Sequence, residues 1–266
     1  MGGDRAADAA AGGARGAALV TGAQRGIGLA IAERFARAGH PVVVADLHAE
    51  ASGDALGARW GATAPVLALA CDVADEAAVE AALDAVEDRL GAPPEHLVNN
   101  AAVQFWSPLV ELDVADFRAT LEVNVTGAFL ATQRFARRRI AVGGGGSVVN
   151  LGSGCNRIAF PMLSSYVASK GAIETLTKSA ALELGRHGIR VNSVAPGAIE
   201  TERTRAETDG YAARWAPLTP LGRVGTVEDV ARAVVALAGD GFGFVTGQTL
   251  GVDGGLFARA PWPADY

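Results

Sequence analysis

Lysine is nearly missing from this 266-residue chain: of 23 basic side chains only Lys170 and Lys178 are lysines. Cysteine is as scarce. Cys71 and Cys155 make neither a disulfide framework nor a zinc-ligand spacing, so no metal site and a reducing cytoplasm are expected. No apolar run approaches the ~20 residues of a membrane span, so no membrane partner is expected. A basic excess is lacking too. The net charge is −6 with Asp and Glu dispersed, a solvated acidic surface that argues against a nucleic-acid partner. The opening MGGDRAADAAAGGARG has arginines but no apolar core, a poor signal peptide. Residues 1–16 read as a frayed tail.

Half the residues are apolar, mostly Ala, Val and Leu, enough for a large core. Short β-branched runs at 17–21, 42–46, 66–70, 96–99, 147–151, 189–194 and 248–252 alternate with longer helical patterns. Those patterns cover 27–38, 75–90, 114–138, 165–186 and 227–238, with a weaker one at 48–59. The alternation predicts an α/β fold, a doubly wound parallel sheet of about seven strands in a single domain over 17–266. Ligands then bind at the carboxyl ends of the strands. The segment 200–225 breaks the rhythm with charges, prolines and aromatics, and predicts a long loop placed as a lid.

The first strand runs into TGAQRGIG (21–28), and a helix follows. Gly22, Gly26 and Gly28 allow a tight turn and close approach of backbone to phosphate. The helix amino end, with Ile27, offers N–H groups to a pyrophosphate. No Walker A lysine follows. Asp46 ends the second strand, eighteen residues after Gly28, where a carboxylate accepts ribose hydroxyls and repels a 2′-phosphate. Arg25 points the other way, but Leu47 supplies no second cation. NAD is therefore expected over NADP. Asp72 reads equally as a partner for the adenine amino group or as part of the next helix start.

Tyr166 and Lys170 lie at i and i+4 on a predicted helix and share a face. A free phenol titrates near 10; a neighbouring ammonium favours its ionised form and brings it toward a useful acid–base range. The rarity of lysine makes this pair unlikely to be accidental, although Lys170 is also placed to pair with Glu174.

Taken together, TGAQRGIG, Asp72-Val73, NNAA (99–102), Asn124, Ser153, Tyr166-x-x-x-Lys170, PGAIET (196–201) and TGQTLGVDGG (246–255) resemble the classical short-chain dehydrogenase/reductase family over residues 17–256. The resemblance implies a Rossmann-type fold and a tetrad of Asn124, Ser153, Tyr166 and Lys170. Tyr166 would exchange the proton, Ser153 would hold the substrate oxygen, Lys170 would bind ribose and tune Tyr166, and Asn124 would hold a water. It also implies cofactor contacts from Val73, Asn99, Ala101, Pro196, Gly197, Ile199 and Thr201. Ala102 departs from the family's usual glycine.

The substrate pocket is expected from Gln104, Phe105, Trp106, Ser153, Cys155, Asn156, Met162, Tyr211 and Trp215. Gln104, Asn156 and Glu200 suit hydroxyl groups. The late motifs resemble sugar and polyol dehydrogenases of the family, and also 3-oxoacyl-carrier-protein reductases, for which Arg137–Arg139 would be a docking patch. A dinucleotide sensor without catalysis is the third reading. Small residues along 114–138 and 165–186 suit subunit packing, and by resemblance a homotetramer is expected. The tail LFARAPWPADY reads either as a cover over a neighbouring site or as a free end.

Overall fold

Alternate residues of each short apolar run face opposite sides of one sheet, and helices cover both sides. In this computed structural model residues 15–49 and 51–258 are described. The expected tail therefore lies almost wholly outside the described residues. In chain order the strands are β1 (Ala18–Thr21), β2 (Val42–Asp46), β3 (Val66–Ala70), β4 (His96–Asn99), β5 (Gly146–Leu151) and β6 (Ile189–Pro196), then the two-residue pair β7 (Ile199–Glu200) and β8 (Gly225–Thr226), then β9 (Thr249–Val252). The main sheet is parallel with order β3-β2-β1-β4-β5-β6-β9. The chain reverses its direction of travel between β1 and β4, which opens the crevice where such sheets bind ligands.

The helices are α1 (Gly26–Arg37), α2 (Gly53–Trp60), α3 (Glu76–Leu90), α4 (Val114–Leu121), α5 (Gly127–Ala141), α6 (Ser164–Leu184), α7 (Glu202–Glu207), α8 (Tyr211–Trp215) and α9 (Val227–Ala238). On one face Ala18 and Val20 pack with Ile31 and Phe35 of α1, Trp60 of α2 and Val230 and Val234 of α9. On the other, Leu19 and Val43 pack with Leu83 and Val86 of α3, Phe135 of α5 and Ala181 of α6. Burial on both faces is why the strands read as continuous apolar runs.

Two elements differ from expectation. The helix expected over 114–138 is broken by a π-helical segment, Glu122–Thr126, between α4 and α5. The segment 200–225 is not a loop. Thr201 and Thr204 form a capping box that starts α7, and α8 and a 3-10 turn at Ala216–Leu218 follow. Of Arg137–Arg139 only Arg137 is exposed: Arg138 pairs with Glu80, Asp84 and Glu87, and Arg139 donates to the carbonyls of Gly145 and Pro93.

Candidate active site

The carboxyl ends of β1 and β2 build an anion cradle. The Ncap of α1, Arg25, makes no side-chain cap and the first turn holds no acid, so its N–H groups stay open. By contrast α2, α3, α4, α7 and α9 are each capped by a Ser, Asp or Thr side chain. Gly22 and Gly26 take φ of 63° and 58°, a region that favours glycine. A Cβ on Gly28 would lie 2.3 Å from the Gly22 carbonyl oxygen and 2.4 Å from the Asn100 amide nitrogen, so α1 can approach the loop this closely only without a side chain. Asp46 is fixed at the end of β2, its Oδ2 accepting from Gln24 N at 3.0 Å and its Oδ1 from Leu47 N at 2.8 Å. Asp72 accepts from Ala74 N at 2.9 Å, while the cap of α3 is Asp75. Open helix N–H groups, a close glycine turn and a fixed carboxylate together fit a dinucleotide.

At the end of β4 neighbouring asparagines divide the work. Asn99, expected in the cofactor channel, turns into the core instead and donates to Asn150 Oδ1 at 2.8 Å and Thr132 Oγ1 at 2.9 Å. Asn100 ties the β1 turn to β4, donating to the carbonyls of Thr21 and Gly22 at 2.9 and 2.8 Å. Asn100, Ala101 and Ala102 face the crevice.

Tyr166 and Lys170 lie on the first turns of α6, and Ser153 follows β5. Lys170 is buried, and its Nζ donates to the Leu151 carbonyl at 2.7 Å, 5.4 Å from the centre of the Tyr166 ring. Burial lowers its pKa to about 8. Burial also pushes the Tyr166 phenol up to about 12; the Arg203 charge and the Ser153 hydroxyl offset this only in part. The phenol is thus raised and not lowered as expected, with desolvation the largest cause and Arg203, in place of Lys170, the charge that opposes it. Lys170 does not pair with Glu174, which holds Lys178 and the Asn156 amide instead.

Asn124 sits in the π-helical segment, a turn type that often marks functional sites. Its Oδ1 accepts from Val103 N at 2.8 Å, and its Nδ2 donates to Val103 O and Ser169 Oγ, both at 3.0 Å. Ser169 in turn donates to the Tyr166 carbonyl at 2.7 Å. The Asn124 side chain is therefore committed to fastening the strand-end loop to α6.

One crevice of about 620 Å³ joins these parts. Of the expected residues it is lined by Gly22, Arg25, Gly26, Ile27, Gly28, Asp46, Leu47, Asp72, Val73, Ala101, Gln104, Trp106, Ser153, Cys155, Tyr166, Lys170, Pro196, Gly197, Ile199, Thr201, Tyr211 and Trp215. Phe105, Asn156, Met162, Asn99, Asn124 and Glu200 do not line it. Met162, at φ 64°, uses its carbonyl to accept from Ser107 N, and its side chain is exposed.

The family profile described as enoyl-(acyl carrier protein) reductase matches residues 22–257. The gluconate 5-dehydrogenase of Gluconobacter oxydans (strain 621H) is 39% identical over 90% of this chain and 93% of its own. The galactitol 2-dehydrogenase (L-tagatose-forming) of Cereibacter sphaeroides is 40% identical, covering 90% and 93%. A crystal structure of a gluconate 5-dehydrogenase from Burkholderia cenocepacia J2315, in complex with NADP and tartrate, is 39% identical with a TM-score of 0.84, covering 92% and 96%. The chain belongs to the short-chain dehydrogenase/reductase family. The dehydrogenases of the family act on CH–OH groups, and this chain is an oxidoreductase of that kind.

Several residues of this dehydrogenase's crevice escaped the sequence reading. Arg203, Glu207 and Thr208 come from α7 and its end, Phe160 from the turn after Ser153, and Leu256 and Phe257 from beyond β9. Phe160 meets Phe257 edge-on at 6.0 Å and Trp215 at 6.2 Å, making an aromatic wall. A Cβ on Gly154 would fall 1.7 Å from the Phe257 ring, so that glycine admits the wall. The start of the tail thus closes its own subunit's crevice, while residues 259–266 lie outside the described residues.

Proposed function

We propose that this enzyme exchanges a hydride between NAD(H) and a secondary alcohol or ketone, with a sugar, polyol or similar hydroxylated small molecule as substrate. The observation that carries the proposal is the continuity of the crevice from the glycine turn and Asp46 to Ser153, Tyr166 and Lys170. Hydride exchange at the substrate carbon is the chemistry a bound nicotinamide supplies. The protein's part is the proton and the position. Tyr166, a neutral phenol at pH 7, donates to the oxygen of a ketone undergoing reduction and must lose its proton before it serves the reverse reaction. Ser153 holds that oxygen, and Lys170, anchored on Leu151, orients the ribose. The polyol and sugar-acid names of the relatives support the substrate class. The acyl-carrier reading has a weaker docking surface than expected, because Arg138 and Arg139 are tied within the chain and only Arg137 of the three is exposed.

For the cofactor, Asp46 argues for NAD: a fixed carboxylate against the 2′ position disfavours a phosphate there. The Burkholderia enzyme's NADP makes this the point to test. A panel of polyols, sugars and cyclic ketones run with both cofactors is expected to give turnover with a higher kcat/KM for NAD. Asp46→Ala should shift the NADP/NAD ratio upward by about tenfold or more, the scale of one charge-assisted contact. Higher efficiency with NADP in the unaltered enzyme overturns the assignment. We place the enzyme in the cytoplasm as a homotetramer, the latter supported by exposed Phe129 on α5 and Leu182 on α6.

A further inference from the structure

One cation at the substrate end of the crevice has no part in the chemistry above. Lys170, held by Leu151, is assigned to the ribose, and Arg25 stands at the nucleotide end. Arg203, on α7, lines the same crevice as Tyr166, and its charge is felt by both Tyr166 and Lys170. Its own partners are loose. The Nη2 to Gln104 Oε1 distance is 3.5 Å, and the pair with Glu207 spans 3.7 Å, the longest ion pair among the described residues. For comparison, Arg223 meets Asp229 at 2.6 Å and Arg34 meets Glu228 at 2.5 Å. A guanidinium held this weakly keeps its planar fork of donors free for an oxyanion.

We infer that Arg203 anchors a carboxylate of the substrate, so that the preferred alcohol is a hydroxy acid rather than a neutral polyol. Gln104, beside the guanidinium, offers an amide to the same carboxylate. Aromatic side chains of Trp106, Tyr211 and Trp215 line the surrounding crevice and suit the C–H faces of a sugar acid or a ring. Glu207 is the loose counter-ion of Arg203 that a substrate carboxylate would displace, and Glu202, which also lines the crevice, repels an anion, so Arg203 is the position in this part of the crevice where a carboxylate is favoured. The inference rests on the oxidoreductase reading and narrows it.

D-gluconate and D-sorbitol differ by a carboxylate against a hydroxymethyl group and make a matched pair; 4-hydroxycyclohexanecarboxylate and its primary amide make a second. In the unaltered enzyme with saturating cofactor the acid of at least one pair is expected to have the higher kcat/KM. Arg203→Met should lower the acid-to-neutral ratio about tenfold or more, chiefly through KM, as loss of uniform binding requires. Arg203→Lys should restore part of it, and Glu207→Gln should raise it. A ratio unmoved by Arg203→Met, or a higher KM for the cofactor in place of the acid effect, overturns the inference. So does neutral turnover with no preference for acids, an outcome that leaves the oxidoreductase reading standing. No turnover of any alcohol with either cofactor overturns both.

Discussion

Tyr166 is useful because its proton is hard to remove. Set back from bulk water the phenolate is the costly form, so burial raises the phenol to about 12 and, in the proposed reaction, leaves Tyr166 a ready acid at neutral pH. The sign of the pH dependence follows. Reduction needs the protonated phenol, so Tyr166 itself leaves it level from pH 6 to 9, and a change near pH 8 belongs to Lys170. Oxidation needs the ionised form, whose share grows up to about tenfold per pH unit, so its kcat/KM should climb between pH 7 and 9. Initial rates in both directions test this; a level oxidation profile contradicts it. Tyr166→Phe should remove ~10²–10⁴-fold of turnover while fluorescence titration finds cofactor affinity within a few-fold. The Tyr–Lys pair was legible from spacing and the rarity of lysine. What desolvation does to it was not, because burial at Tyr166 depends on the folding of a crevice whose lining runs from Gly22 to Phe257.

Elements aim these residues. The glycine turn before α1 works because three backbone segments crowd one place, and Gly28→Ala tests this. Its methyl would press on the Gly22 carbonyl and the Asn100 amide, an overpacking cost of ~1–3 kcal/mol. A melting temperature lower by about 2–12 °C is expected, together with cofactor affinity at least several-fold weaker. Unchanged cofactor affinity would show that the turn can widen. All seven strands of the main sheet and the glycine turn were readable because period and punctuation are local. The break at Glu122–Thr126 was not: a π turn keeps the composition of a helix and differs only in which carbonyl each N–H finds. The helices in 200–225 were hidden for another reason. Each is under two turns, too short for apolar periodicity, and only the Thr201–Thr204 cap announces one. Arg203 was missed with them, since its meaning depends on α7 being folded over the strand ends.

At the scale of the whole molecule the two edges of the sheet have different tasks. The amino edge holds His96 against Ser147 and Phe35, with burial pushing its pKa down to about 3, so it stays a neutral packing group. The carboxyl edge holds every group assigned to chemistry. Phe129, Leu182 and Phe244 are exposed apolar side chains, a third surface that the proposed homotetramer would cover. Light scattering on the native protein is expected to report a four-chain mass, and a stable monomer contradicts the homotetramer.

The reach of the crevice along the chain also orders its birth. Its nucleotide half uses β1, α1 and β2, whereas β9, Leu256 and Phe257 come some two hundred residues later. On the ribosome the nascent chain emerges amino end first. A chain under synthesis therefore carries the glycine turn and Asp46 before Asn100, which fastens that turn, and long before the aromatic wall that encloses the substrate end.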